Sequence, residues 1–242
     1  MPTHQPHEIV IHHIEGGRSF RPIWLCEELG LSYRLSFTQG NKEASMTSLR
    51  KAYPMMPMTP VVAVDGEIMV ESGAILEVLE ARFGPGRLSP PVASAAYPAF
   101  KRWIHFAEGT LMARAVMHRF ISVATGVPVK QLPPGYRDGI DPPEALTMVG
   151  CEQCFRYMDA FLAATPYFSG DAFGLADIML YHSIRMTRVL VGIRPEDYAH
   201  IQAWRARIEP RAAFVRAAAA ACPSGIDEHF LPVGLPPPFP LD

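Results

Sequence analysis

Glu71 and Ser72 stand between an apolar run that ends at Val70 and a helical pattern that begins at Gly73. The unsatisfied N–H groups and the dipole at the start of a helix favour an anion, and the Ser72 hydroxyl adds a donor. The Glu71 carboxylate is able to accept hydrogen bonds from an ammonium group. The dipeptide therefore predicts a site for the zwitterionic end of a ligand. The alternative is a plain helix cap beside an exposed strand end.

Pro60 opens a second apolar run, which continues over Val61–Val64. A proline removes one donor from a β-ladder, so that it belongs at an irregular position of a sheet. We expect the Thr59–Pro60 peptide bond to be cis, and the alternative is a trans proline at an ordinary strand start.

The elements that must position these residues follow the order βαβ, a helix-like connection, and ββα. The β-branched run over 8–14 predicts a strand, and the apolar face over 19–30 predicts a helix. Asp65-Gly66 is a strong hairpin signal between two apolar runs. The other predicted elements are strands over 33–37, 61–64 and 67–70, helices over 43–52 and 73–83, and a proline-containing loop over 54–60.

Strand-like alternation stops after the sequence Gly84-Pro85-Gly86, which together with Pro90-Pro91 indicates a linker between domains. We assign residues 1–86 to an α/β domain and residues 94–242 to an all-helical bundle with a proline-rich tail. Residues 126–143 predict a long connection, and the tail from residue 223 is expected to be extended. The predicted helices of the second domain cover residues 95–124, 144–163, 175–191, 198–208 and 211–221.

The composition excludes several classes of protein. Hydrophobic residues make up 49% and charged residues 19% of the 242 residues, which is typical of a globular chain. The net charge is -2 and the 22 basic residues are dispersed, so that nucleic acid is not an expected partner. No segment approaches the roughly 20 apolar residues needed to span a bilayer. The four cysteines lie in helix-like stretches and form no disulfide framework, which predicts a cytoplasmic protein.

Three stretches resemble the cytosolic glutathione transferases, especially bacterial and fungal members, and together with the order of elements the resemblance covers nearly the whole chain. Residues 18–31 (RSFRPIWLCEELGL) are similar to the first helix of that family. Residues 59–62 and 70–76 are similar to its cis-proline strand and glutathione-binding turn. Residues 170–178 (GDAFGLADI) are similar to the N-capping segment of a buried helix in its second domain. The resemblance implies a thioredoxin-like first domain followed by a helical bundle.

The resemblance also implies glutathione as co-substrate and gives the motif residues their roles. Glu71 and Ser72 would bind the γ-glutamyl end of glutathione. The backbone of Thr59, held by Pro60, would pair with the cysteinyl part like an added strand. Lys42 is our candidate for the glycyl carboxylate, and the alternative is a solvated loop lysine.

This chain differs from the family at the position of the residue that activates the thiol. In the serine- and cysteine-type members it lies just after the first strand, and here Gly16 or Gly17 stands in that place. We expect the start of the following helix to stabilise the thiolate, with Ser19 as hydroxyl donor or Arg18 as positive charge. The alternative is that Ser19 only caps the helix and Arg18 is a surface charge. Cys26 lies about two turns into that helix and is predicted to be buried and inert.

Two groups of possible metal ligands favour structural roles. Cys151 and Cys154 have the CxxC spacing but lie in a helical pattern without a second pair, which favours a core face over zinc or redox chemistry. His12 and His13 are adjacent in a strand, where neighbouring side chains point to opposite faces. We therefore predict no metal.

The sequence thus predicts an enzyme that joins glutathione to a small apolar electrophile, or uses glutathione reductively. The alternative is a non-catalytic interaction module of the same fold, which the glycines after the first strand leave open. Members of the family usually form homodimers, so the resemblance implies a homodimer here. The candidates to insert into the partner are Tyr53, Met55 and Met56. The candidate lining of the second-substrate pocket consists of Trp103, Phe106, Leu111, Met112, Met117 and Phe120, although such stripes are more often core.

Overall fold

The computed structural model describes residues 7–125 and 148–223. The described residues form two compact units, which comprise residues 7–87 with 209–223, and residues 88–125 with 148–208. The helix expected over 144–163 is described from Met148 onwards, and the connection 126–143 and most of the tail lie outside the described residues. No helix of the described residues is long and apolar enough to cross a membrane.

The first unit contains a four-stranded mixed sheet in the order β2-β1-β3-β4. Strand β1 pairs with β2 in parallel and with β3 antiparallel, and the β3–β4 hairpin turns at Asp65-Gly66 as expected. Every residue of β3 except Ala63 is buried. The elements of this unit are β1 (Ile9–His12), α1 (Phe20–Leu29), β2 (Arg34–Ser36), α2 (Lys42–Ala52), β3 (Val61–Val64), β4 (Glu67–Val70), α3 (Ser72–Phe83) and α9 (Ala212–Ala221).

Helix α9 belongs to the first unit, although the sequence boundaries assigned everything after residue 94 to the helical domain. The Phe214 ring packs edge-on against the buried Trp24 ring of α1, with 4.9 Å between the centroids. The Arg211 guanidinium forms two hydrogen bonds of 2.8 Å to the Glu28 carboxylate. Arg216, about one turn further along α9, donates from its Nε to the Glu27 carboxylate at 2.6 Å. Aromatic packing and paired charges thus fix the last described helix to α1.

The second unit is helical. Its elements are α4 (Tyr97–Phe106), a π-helical turn (Ala107–Met112), α5 (Ala113–Thr125), α6 (Met148–Leu162), α7 (Leu175–Val191), a 3-10 turn (Pro195–Asp197) and α8 (Ala199–Ile208). The helix expected over 95–124 is therefore present as α4 and α5, which run on through the π-helical turn. Seventeen residues form α7, and nearly all of them are buried.

Asp177 organises the start of α7, as the capping segment predicted. Its buried carboxylate accepts the backbone N–H groups of Gly174 at 2.9 Å and Phe168 at 2.8 Å, and the Trp204 indole N–H at 2.8 Å. Gly174 replaces the usual Ser or Thr cap because a Cβ there would lie 2.2 Å from the Leu88 carbonyl oxygen. The missing half of the capping box is thus a consequence of close backbone packing.

Candidate glutathione site

The strand register brings three loops to one end of the sheet. Val61, the first residue of β3, pairs with His12 at the end of β1 and with Val70 at the end of β4. The loop after β1, the Thr59–Pro60 step and the Glu71–Ser72 pair therefore lie side by side. The Thr59 hydroxyl donates to the His12 carbonyl oxygen at 3.2 Å, which fastens two of these loops together.

Glu71 and Ser72 form the start of α3, as the sequence predicts. Glu71 is exposed and has φ 68, a left-handed conformation that is unusual for a residue other than glycine. Such backbone positions cluster at functional sites. No side chain caps the first turn of α3, so that its N–H groups remain open to an anion. Ser72 is buried, and its side-chain oxygen lies inside the unit near this turn.

Arg21 is a site residue that sequence reasoning missed. The side chain is fully buried on α1, and its Nη1 donates to the Ser72 Oγ at 2.9 Å. The signal in the sequence was an arginine between Phe20 and Pro22, within the apolar face of a helix whose charged residues otherwise follow at Glu27 and Glu28. The structure thus places a positive charge beside the expected anion site.

The Thr59–Pro60 peptide bond is cis, which confirms the prediction from the proline at the strand start. No hydrogen bond joins the backbone N–H or carbonyl of Thr59 to another residue within 7–125 or 148–223. This residue therefore presents unpaired backbone groups at the converging end of the sheet. An extended peptide is able to pair with such a segment as an additional strand.

Ser19, our candidate hydroxyl donor, lies in a buried hydrogen-bond network. The side chain is fully buried and contacts the His13 Nδ1 at 2.8 Å. The His13 Nε2 lies 2.7 Å from the Ala221 carbonyl oxygen, which only accepts, so that Nε2 carries the ring proton. The Ser19 hydroxyl consequently donates to His13 and accepts the Ile14 N–H at 3.2 Å. It makes no side-chain cap on α1 either.

His13 is held neutral in this network. Burial lowers its pKa to about 4, and the hydrogen bond to the Ala221 carbonyl opposes that shift. His13 thereby links β1, the start of α1 and the end of α9. Its neighbour His12 points elsewhere, towards the Tyr53 hydroxyl at 3.0 Å, in agreement with the alternation expected for a strand.

Gly17 has no room for the side chain that the family places after the first strand. A Cβ on Gly17 would lie 2.9 Å from the Ile14 carbonyl oxygen and 3.3 Å from the Thr59 Cγ2. Gly16 has φ 74, which a residue with a side chain rarely adopts. The partly exposed Arg18 follows directly in the same loop. Arg18 is therefore the residue of the predicted catalytic pair whose placement remains compatible with a contact to ligand.

The loop that carries Lys42 is attached to the loop after β1. The Gly40 N–H donates to the buried Glu15 carboxylate at 2.7 Å, a contact that the sequence did not reveal. Lys42 is the first residue of α2 and is partly exposed. Asn41 caps that helix by accepting the Ala44 N–H at 2.9 Å. The cap and the Glu15 contact fix the position at which α2 presents Lys42.

The cysteines have structural environments. Cys26 is fully buried, and burial raises the pKa of its thiol to about 12, which keeps it protonated as predicted. Burial also raises the pKa of Cys151 to about 12. All four cysteines are free. Residues 7–125 and 148–223 contain no group of three or more side chains arranged to hold a metal ion.

The six residues suggested for a second-substrate pocket do not share one surface. Trp103, Leu111 and Met112 are buried within the second unit, whereas Met117 and Phe120 are exposed by 44% and 54%. The helical spacing in the sequence did not show which of the six side chains face the core and which face solvent. The buried three belong to the core of the unit, and Met117 and Phe120 lie on its surface.

The fold of the first unit is thioredoxin-like, and sequence comparison gives its family. The signature of the glutathione S-transferase N-terminal domain matches residues 12–87, and that of the glutathione S-transferase C-terminal domain matches residues 120–212. The chain therefore belongs to the glutathione S-transferase family.

Individual relatives agree with this assignment. Glutathione S-transferase 3 of Schizosaccharomyces pombe is 26% identical over 213 residues, which cover 85% of this chain and 84% of the yeast protein. The glutathione S-transferase GstB of Escherichia coli is 31% identical over 152 residues, or 60% of this chain and 65% of GstB.

Solved structures of the same family share the fold. A glutathione S-transferase from Actinobacillus pleuropneumoniae superimposes with a TM-score of 0.73 at 20% identity and covers 94% of this chain and 98% of its own. A theta class enzyme from Xanthomonas axonopodis pv. citri, with glutathione bound, gives a TM-score of 0.63 at 25% identity, covering 88% of this chain and 97% of its own.

Replacing Ser19 by alanine is expected to destabilise the fold without changing thiol chemistry. The change leaves the His13 Nδ1 and the Ile14 N–H without their buried partner, which costs about 1–3 kcal/mol of unfolding free energy. Urea unfolding measures this loss, with the exposed Ser48→Ala as control. Thiolate absorbance of bound glutathione against pH should be the same as in the unchanged protein. A bound thiol pKa that rises to the value of free glutathione would restore Ser19 as the activating residue.

His13 should make folding stability depend on pH. Its folded pKa of about 4 lies below the unfolded value of 6.5, so that between these values the unfolded chain binds the proton more readily. The unfolding free energy should therefore fall by about 3 kcal/mol as pH decreases from 6.5 to 4. His13→Gln keeps a donor for Ala221 and should flatten this dependence. Exposed His105→Gln should retain it, and equal slopes in both variants would contradict the prediction.

Proposed function

We propose that this protein binds glutathione and transfers its thiolate to a small apolar electrophile, or uses it as a reductant. The observation that carries the proposal is the pair Glu71 and Ser72 at the uncapped start of α3, beside the cis Thr59–Pro60 step. A carboxylate, a hydroxyl and an unpaired backbone segment match the amino acid end and the peptide unit of glutathione. Membership in the family supports the same activity.

Each part of glutathione has a proposed partner in the first unit. The Glu71 carboxylate accepts the γ-glutamyl ammonium, while the Ser72 hydroxyl and the first-turn N–H groups of α3 donate to the α-carboxylate. The Thr59 backbone pairs with the cysteinyl unit. Lys42, fixed at the start of α2, binds the glycyl carboxylate.

The thiolate is stabilised by the start of α1 together with Arg18. The positive end of the helix dipole and the arginine charge both favour the anion over the thiol. The thiol proton leaves to solvent, and the thiolate sulfur then forms a bond to the electrophilic carbon while the leaving group departs with the bonding electrons.

A non-catalytic glutathione-binding or assembly module is the second candidate function. The observation that favours it is the close contact around Gly17, which excludes a hydroxyl-bearing side chain from the usual position. The two functions differ in the pKa of bound glutathione, because only an enzyme needs to lower it. A bound thiol that titrates like free glutathione would favour the module.

Replacing Glu71 and Ser72 together by alanine is expected to weaken glutathione binding by about 2–4 kcal/mol. Charge-assisted hydrogen bonds contribute roughly 1.5–3 kcal/mol each and are not fully additive when they share a ligand. Isothermal titration calorimetry measures the change. Asp171→Ala removes an exposed carboxylate of the second unit and serves as control. Unchanged affinity in the double variant would refute the γ-glutamyl assignment.

We further propose a cytoplasmic homodimer. The loop before Thr59 carries three exposed methionines, and Met55 is exposed by 93%. Apolar side chains gathered on a loop are typical of an interaction surface. Tyr53 is not available for insertion into a partner, because it packs against Ile14 and Val61 and contacts His12. Met55 and Met56 are the remaining candidates from the sequence.

Met55→Glu is expected to weaken the dimer by at least about tenfold, because a charge that must lose its water at an interface costs several kcal/mol. Sedimentation velocity over a micromolar concentration range measures the monomer fraction. Val215→Glu is the matched control, since Val215 is an exposed apolar residue on α9 of the same unit. A monomeric unchanged protein at micromolar concentration would contradict the proposal.

A further inference from the structure

The loop over residues 53–59, which carries three methionines, is fastened at both of its ends to one residue of β1. At one end, the Tyr53 hydroxyl contacts the His12 Nε2 at 3.0 Å. At the other end, the Thr59 hydroxyl donates to the His12 carbonyl oxygen at 3.2 Å. Since both ends meet at His12, the residues between them form a closed surface loop, the methionine loop.

Two backbone hydrogen bonds shape the methionine loop from within. The Met56 N–H donates to the Tyr53 carbonyl at 3.2 Å, and the Met58 N–H donates to the Met56 carbonyl at 2.8 Å. The side chains nevertheless stay at the surface, because Met55 is exposed by 93%, Met58 by 57% and Met56 by 43%. The subunit thus presents three thioether groups to solvent on a backbone that is held in place.

Solvent exposure separates these thioethers from the other methionines whose side chains the structure describes. Outside the loop, Met117 on α5 is the only one of them that is exposed. The buried ones are Met112, Met158, Met179 and Met186. An oxidant reaches a thioether where the sulfur meets solvent, so that oxidation follows exposure. In the first unit, oxidation should therefore begin at the methionine loop.

Oxidation would change the polarity of this surface. The thioether sulfur attacks the terminal oxygen of a hydroperoxide, the O–O bond breaks, and the proton of that oxygen passes to the leaving alkoxide or hydroxide. The sulfur is oxidised by two electrons to a sulfoxide, while the peroxide is reduced to an alcohol or water. A sulfoxide is polar, so that burying it against another protein surface without a hydrogen-bond donor is unfavourable.

We propose that the methionine loop is a peroxide-sensitive modification site, at which sulfoxide formation on Met55 and Met56 prevents two subunits from associating. The inference rests on the proposed homodimer, in which these two side chains enter the partner. Oxidation takes place on the separated subunit, where both side chains are exposed. Enzymatic reduction of the sulfoxides reverses the change.

The competing explanation is that peroxide acts by destabilising the subunit. Sulfoxide formation in a core would disrupt packing and lower stability. Oxidation confined to the methionine loop leaves the core and the contacts to His12 intact, so that it should weaken association alone. Urea unfolding at a concentration where the protein is monomeric should therefore have the same midpoint before and after oxidation. A lowered midpoint at this concentration would favour the competing explanation and overturn the proposal.

Sedimentation velocity over a micromolar concentration range compares association before and after treatment with hydrogen peroxide. Peptide mass spectrometry measures the sulfoxide content at each methionine. The dimer dissociation constant should rise by at least about tenfold, because a polar group then lies in an apolar contact. Treatment with the two methionine sulfoxide reductases, one for each sulfoxide epimer, should restore the original constant.

Matched variants assign the effect to the loop. The triple variant Met55→Leu, Met56→Leu and Met58→Leu keeps apolar side chains of similar volume but forms no sulfoxide. Its own dissociation constant is the reference, and peroxide should leave that constant unchanged. Met117→Leu, at the exposed methionine of the second unit, should retain the full sensitivity to peroxide.

Three results decide the outcome. Unchanged association after complete oxidation of the methionine loop would overturn the proposal. An equal loss of association in the triple variant would assign the effect to other residues and would overturn it as well. A protein that is monomeric before any peroxide is added would instead refute the proposed homodimer.

The rate of oxidation gives a test on the unchanged protein. Association covers Met55, so that its oxidation should slow as the protein concentration rises through the dimer dissociation constant. N-acetylmethionine in the same solution provides the reference rate at each concentration. A relative rate at Met55 that is the same at all concentrations would show that association does not cover this side chain, and the proposal would fail.

Discussion

The pairing of β3 with a strand on each side is the constraint on which the candidate site depends. Val61 faces His12 of β1 and Val70 of β4, so that the ends of three strands lie together. Backbone hydrogen bonds hold this register, and a slip by one residue would turn the buried side chains of β3 to the opposite face. The site residues themselves therefore need few direct contacts with one another to stay in place.

Polar groups buried near this end of the sheet are joined to one another by hydrogen bonds. These hydrogen bonds hold the loops in shape. Ser19, His13 and the Ala221 carbonyl form one chain, and Glu15 with the Gly40 N–H forms a second link. Buried polar groups destabilise a protein unless they are hydrogen-bonded. Each link therefore penalises movement of the loop it fixes. The first chain also makes α9 part of the structure that supports the start of α1.

In the second unit, a single buried carboxylate fixes the start of a helix. Asp177 accepts hydrogen bonds from three backbone N–H groups and from the Trp204 indole at the start of a nearly fully buried helix. The absence of a side chain at Gly174 lets the Leu88 carbonyl approach, and the Leu175 N–H donates to that carbonyl at 2.9 Å. A local motif and a contact distant in sequence thus share the same helix end.

The sequence by itself determined the order of strands and helices, the cis proline and the Glu71–Ser72 turn, because these follow from periodicity, turn chemistry and proline geometry within a few residues. It did not determine that Ser19 turns inward to His13, that Arg21 lies beneath Ser72, or that α9 packs on α1. Those outcomes depend on which surfaces meet after folding, and residue spacing carries no information about them. Only tertiary structure decided them, since a buried hydrogen bond such as the one from His13 to Ala221 joins groups 208 residues apart.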